Sequence, residues 1–165
     1  MQNPNIRISP LKMDDFHFVL NWSKDEVFCE ANGWEPNRDE EELYKWWERC
    51  VNLTSDDFIR IGIEMNGCLI GYVDLACIQN KSAEIGIAIG ERSLWGNGIG
   101  FHSTKLLLNY ANEHLGISIF NAETHETNFR SRRMLEKLGF TEISREGSDY
   151  YLGEDVGLIQ FQLLI

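Results

Sequence analysis

Ser93-Leu94-Trp95-Gly96-Asn97-Gly98-Ile99-Gly100 joins a run that reads as a strand to one that reads as a helix. Ahead of it, Ala83-Glu84-Ile85-Gly86-Ile87-Ala88-Ile89 is short, apolar and β-branched. Behind it, Phe101 to Leu115 places Leu106, Leu107, Leu108, Tyr110, Ala111 and Leu115 on a broad apolar face at helical spacing. A strand followed by glycines and a helix N-terminus makes an anion site, because glycine lets the backbone approach closely and the first helical N–H groups lack partners within the helix. A nucleotide phosphate loop needs Gly-Lys-Ser/Thr at its end, and here Phe101 follows Gly100. The dinucleotide fingerprint G-x-G-x-x-G fails too, since Gly98 is followed by Gly100 and then Phe101. What remains is x-x-x-G-x-G opening a helix.

A second segment lies about 30 residues downstream: Asn128-Phe129-Arg130-Ser131-Arg132-Arg133-Met134-Leu135-Glu136-Lys137-Leu138-Gly139-Phe140. It reads as a short helix from about Ser131, stopped by a left-handed glycine at Gly139, with Phe140 re-entering the core. The loop resembles the pyrophosphate loop of the GNAT acyltransferases, Q/R-x-x-G-x-G/A, and the second segment resembles that family's N-x-x-S/A-x-x-h-Y/L-E-K-x-G-F. Trp95 stands where Gln or Arg is usual, as in the ribosomal-protein N-acetyltransferase branch. Together the two motifs cover roughly residues 83–140.

Composition bounds the rest. With 165 residues, 43% hydrophobic and 25% charged, the chain is expected to form one domain over residues 1–165. No apolar run is long enough for a membrane span, and Met1-Gln2-Asn3-Pro4-Asn5 carries neither the basic nor the apolar region of a signal peptide. Cys29, Cys50, Cys68 and Cys77 form no C-x-x-C pair, which fits free thiols in a reducing cytoplasm and no metal site. The net charge is −11, against nucleic-acid binding. Yet residues 91–140 carry six basic and five acidic side chains, so the acidity lifts where a polyanionic cofactor is expected.

Along the chain, Ile6 to Ser9 reads as a strand, Met13 to Trp22 and Asp39 to Leu53 as helices, and Phe58 to Met65 and Cys68 to Cys77 as strands joined by Asn66-Gly67. A strand at 83–89, a helix at 99–115, a strand at 117–126, a helix at 129–138 and strands at 141–145 and 155–164 follow. The fold class is α/β (α+β). The resemblance implies the GNAT fold, a mixed, mostly antiparallel sheet with splayed central parallel strands flanked by helices.

The resemblance also implies a site. Acetyl-CoA, as co-substrate, lies between the fourth and fifth strands, its pantetheine arm bonding to the backbone of Ile87 and Ile89 as an extra strand would. Trp95 opens the loop in which Gly96, Asn97, Gly98, Ile99 and Gly100 hold the pyrophosphate. Asn128 bonds the pantetheine, and Arg132, with Arg130 and Arg133, reaches the phosphates. The acceptor amine must lose a proton to attack a thioester. Glu84, which aligns with the catalytic glutamate of the histone-acetylating branch, is the candidate base, and His125, ending the fifth strand, is the alternative. The family's acid is often a Tyr where this chain has Leu135; Ser131 is the substitute that the ribosomal-protein branch implies, and a mechanism without an acid is also open.

These readings converge on an N-acetyltransferase acting by direct attack in a ternary complex, as a monomer or homodimer, with a non-catalytic CoA-binding module as the alternative. The expected acceptor is a small-molecule or protein amine. Carboxylates in the first two helices and near the C-terminus, interleaved with Trp22, Trp34, Trp46 and Trp47, favour a cationic one such as a polyamine, an aminoglycoside or a basic protein N-terminus.

Overall fold

Two-residue turns set the first half of the sheet. Asn66-Gly67 joins β2 (Ile59–Met65) to β3 (Cys68–Gln79), and both turn residues have positive φ, 52° and 83°. That is the backbone a type I′ hairpin needs. Asn80-Lys81, at 49° and 63°, makes the next hairpin into β4 (Ser82–Ile89), one residue earlier than the sequence placed the turn. β1 (Ile6–Ser9) pairs antiparallel with β2, so β1 to β4 form a meander. The computed structural model of the chain describes residues 4–165. Met1, Gln2 and Asn3, on which part of the N-terminal reading rests, lie outside the described residues.

Between β1 and β2 the chain forms three helices where two were expected. The helix read at 13–22 is a 3-10 turn, Met13–Asp15, leading into α1 (Phe16–Ser23). α2 (Glu26–Asn32) was missed, although its ends are written in the sequence. Asp25 caps it by accepting from the N–H groups of Val27 and Phe28, and Gly33 stops it at φ 69°. α3 (Glu40–Val51) is capped by Asp39 and carries acidic residues in its first turn, as its dipole favours.

The second half departs from the meander. α4 (Ile99–Leu115) crosses over, β5 (Ile119–His125) runs parallel to β4, and α5 (Phe129–Leu138) ends at Gly139 with φ 100°. β6 (Thr141–Ser144), β7 (Ser148–Tyr151) and β8 (Glu154–Leu164) complete one sheet in the order β1-β2-β3-β4-β5-β8-β6, with β7 also on β8. β7 had no counterpart in the sequence reading; it pairs with β8 across a tight turn at Leu152-Gly153, both at positive φ.

β4 and β5 pair over only three positions, Ser82 with Ile119, Ala83 with Phe120 and Glu84 with Asn121. From Ile85 and Ala122 onward the two strands part. Helices cover both faces of the sheet. One core gathers α4, α5 and one face of β2 to β5 and β8 around Leu107, Phe120, Leu135 and Ile159. The other packs α1 to α3 on the opposite face around Val19, Phe28, Trp47, Tyr72 and Ala88.

Candidate active site

Where β4 leaves β5, its outer backbone edge has no strand to pair with. Gly90 donates its N–H to Ile70 of β3 at 2.8 Å. Alternation along the strand therefore turns the N–H and C=O groups of Ile85, Ile87 and Ile89 toward the gap. Consistent with this, the Ile89 carbonyl accepts from the Trp95 indole N–H at 2.8 Å. One of the backbone groups expected for a ligand is thus already used, while the N–H and C=O of Ile87 stay open to an extended partner.

The glycine loop closes the far end of the gap. Gly98 caps α4 at φ 78° and its carbonyl accepts from His102 N–H, so the N–H groups of Ile99, Gly100 and Phe101 have no partner within the helix. The Ile99 side chain is buried in the core, leaving only its backbone for a ligand. A Cβ on Gly100 would lie 3.3 Å from Met134 Sδ and 3.9 Å from Ile87 Cδ1, inside the gap. The Asn97 amide folds back onto the carbonyls of Ser93 and Trp95 and shapes the loop without lining the cavity.

A cavity of about 410 Å³ runs over this loop, walled by β4, Trp95 and α5. Arg130, Arg133 and Lys137 line it, with Arg130 over the Trp95 ring and Lys137 over the Phe101 ring. Arg132 does not: its guanidinium donates to the Glu126 carbonyl at 2.7 Å and lies over Phe129. Helical periodicity explains this placement, because positions 130, 133, 134 and 137 share one stripe of α5 and position 132 does not. Asn128 caps α5 by accepting from Ser131 N–H at 3.2 Å, which leaves its amide N–H groups for a ligand. Free backbone donors, an open strand edge and three cations suit an extended anionic ligand such as a nucleotide thioester.

A second cavity, of about 290 Å³, shares Ala31, Ile87, Asn128, Ser131 and Met134 with the first. Ala122 and Thr124 line it, and so do Glu123 and His125, which alternate to the other face of β5. The cavity therefore passes through the sheet where the strands part. His125 Nε2 lies 2.9 Å from Asp149 Oδ2, and the Tyr151 ring packs against the imidazole at 4.9 Å. Glu84 is not brought here. It is exposed on the last paired rung of β4, opposite Asn121, and the cavity opens one residue later at Ile85. Leu135, at the usual Tyr position, is buried with its side chain against the core.

The tryptophans do not form a free aromatic face for a cation. Trp22 and Trp47 are core residues, and Trp34 and Trp46 pack edge to face beside them. The cation over Trp46 is the protein's own Arg60, which also stacks on Tyr72 at 4.2 Å and pairs with Asp74 at 2.7 and 2.8 Å. Burial works against the charged guanidinium, but the hydrogen bonds and charge of Asp74 more than offset it and raise its pKa. Glu123, Lys137 and Tyr151 went unassigned in the sequence, and Asp149 counted there only among the C-terminal carboxylates that favour a cationic acceptor; only Lys137, four residues after Arg133, had a periodic signal.

The chain matches known proteins along most of its length. Residues 5–141 match the family model described as an acetyltransferase (GNAT) domain. An uncharacterized protein of Methanocaldococcus jannaschii is 37% identical over 114 residues, which are 67% of this chain and 23% of that protein. The chain thus spans about a quarter of the length of that curated relative. In structure it is similar to a Vibrio cholerae spermidine N-acetyltransferase solved with CoA and spermine, with a TM-score of 0.83, 20% identity, and coverage of 96% of this chain and 95% of that one. A ribosomal alpha-N-protein acetyltransferase solved with coenzyme A also gives 0.83, at 17% identity and 97% and 94% coverage. Identities this low speak for the fold alone, but the family match spans both the splayed strands and the glycine loop, and on it the chain belongs to the GNAT acetyltransferases.

Proposed function

We propose that residues 1–165 form one domain that transfers an acetyl group from acetyl-CoA to a primary amine in a ternary complex. The observation that carries this reading is the pair of joined cavities, one over the cation-lined loop and one through the parted strands. Acetyl-CoA supplies the thioester. Ile87 would bind its extended arm through the backbone, the α4 N-terminus its pyrophosphate, and Arg130, Arg133 and Lys137 its remaining phosphate charge. His125, at the far mouth, takes the amine proton, and Ser131, a residue lining both cavities, would give its hydroxyl proton to the departing thiolate. A thiolate is a good leaving group, so that donation is the lesser contribution. All four cysteines are free, in keeping with a reducing cytoplasm. Among the described residues no helix is long and apolar enough to cross a membrane, and no group of His, Cys, Asp or Glu could hold a metal.

With Trp22 and Trp47 in the core, Trp34 packed against Trp46 and Arg60 over the Trp46 ring, we assign selection of a cationic acceptor to the carboxylates. Turnover of acetyl-CoA across cationic, neutral and anionic amines at low and moderate salt reads this directly. A cationic preference that fades with salt supports carboxylate selection, and a salt-insensitive preference for a neutral or acidic amine overturns it.

Two further results are expected. Arg130→Ala lowers CoA affinity ~10-fold, the loss of a charge-assisted contact, while Arg132→Ala changes it by less than about twofold. Equal losses in isothermal titration would contradict the division of α5 into two faces. Asn128→Ala costs about 1 kcal/mol of stability and weakens CoA binding, whereas Asn128→Ser keeps the cap and loses only the amide donor. Its denaturation midpoint therefore stays near wild type while CoA affinity falls, and wild-type CoA affinity in the serine variant would remove Asn128 from the site.

A further inference from the structure

The β7–β8 hairpin reaches back to the end of β5. β8 pairs with both strands, placing His125 opposite Leu158, Asp149 opposite Val156 and Tyr151 opposite Glu154. Two side chains of β7 thereby close on the imidazole from a segment 24 residues downstream: Asp149 at hydrogen-bond distance and the Tyr151 ring tilted against it, centroids 4.9 Å apart. A carboxylate oxygen only accepts, so Nε2 must carry the hydrogen. A neutral imidazole carries one, which leaves Nδ1 as the nitrogen with a free lone pair.

We propose that Asp149 is the positioning residue of this site, holding His125 in the tautomer whose Nδ1 takes the proton of the acceptor amine, with Tyr151 limiting ring rotation. This rests on the reading of His125 as the base. Among the described residues no other charged group near the ring does the same work. Glu123, on the same face of β5, is held by Gln160 Nε2 at 2.9 Å. Gln160 is itself fixed by Ser144 and by both the N–H and carbonyl of Glu146. Glu126 follows His125 with its carboxylate over Gly157 of β8, and Arg132 of α5 is bound to the Glu126 carbonyl. Glu154 and Asp155 lie at the far end of the hairpin, opposite Tyr151 and Tyr150.

The test combines ring ¹⁵N NMR on the free protein with pH–rate profiles of acetyl-CoA turnover. His125 signals are assigned against the His125→Gln variant. The wild-type ring is expected as the Nε2–H tautomer, and Asp149→Asn should lose that preference. The same variant should lower kcat ~10-fold or more with CoA affinity unchanged. Asp149→Glu should recover part of kcat. An Nδ1–H ring in the wild-type protein overturns the assignment, as does a kcat that Asp149→Asn leaves unchanged. So does an acid limb of the pH–rate profile that survives His125→Gln and vanishes in Glu123→Gln. Absence of turnover with any amine would instead overturn the transfer reading, and the NMR of the free protein would still decide the tautomer.

Discussion

Gly100→Val and Gly98→Val are each expected to weaken CoA binding ~100-fold or more, about 2.7 kcal/mol, in a protein that still folds. The two act differently. At Gly100 a Cβ would already sit 3.3 Å from Met134 and 3.9 Å from Ile87, so the two methyl groups of valine would occupy the gap between β4 and α5. At Gly98 nothing lies within 4 Å of a Cβ, but φ is +78°. A β-branched residue there costs on the order of 1–2 kcal/mol. That strain is relieved by moving the loop, which turns the N–H groups of Ile99 and Gly100 away from the ligand. A domain of ordinary stability, ~5–15 kcal/mol, tolerates either change. Calorimetry showing wild-type CoA affinity in both variants, with circular dichroism unchanged, would remove the loop from the site.

His125→Gln is expected to lower turnover by ~10²-fold, the usual contribution of a positioned general base, with CoA affinity retained. Glutamine keeps approximate size and polarity but cannot accept a proton near neutral pH. Glu84→Gln, run in parallel, should change turnover by less than a few fold, because Glu84 stands on the closed part of the β4–β5 ladder and outside the cavity that holds His125. The reverse result, a large loss in Glu84→Gln and a small one in His125→Gln, would return the base to β4 acting through water.

What the sequence made legible follows the reach of its signals. α4 and α5 fall on the residues their periodicity and glycine stops marked, and Asn66-Gly67 makes the hairpin its composition demands. Local signals were present but unread for α2, where Asp25 and Gly33 mark both ends. β7 has no apolar alternation, since Ser148, Asp149 and Tyr150 are exposed and only pairing with β8 orders them. The glycine loop was readable because backbone, not side chain, binds there. Arg132 and Glu84 were not separable from their neighbours until the face of α5 and the point of strand parting were known. The contact between His125 and Asp149 depends on β8 lying between β5 and β7, a long-range pairing that no local spacing encodes.

The most direct test is release of free thiol from acetyl-CoA, measured with the purified protein across an amine panel and matched to acetylated product by mass spectrometry. Amine-dependent thiol release, equimolar with acetyl-amine and lost in Gly100→Val, is the predicted result. Tight CoA binding with no amine-dependent release would contradict it and identify a CoA-binding module without transfer.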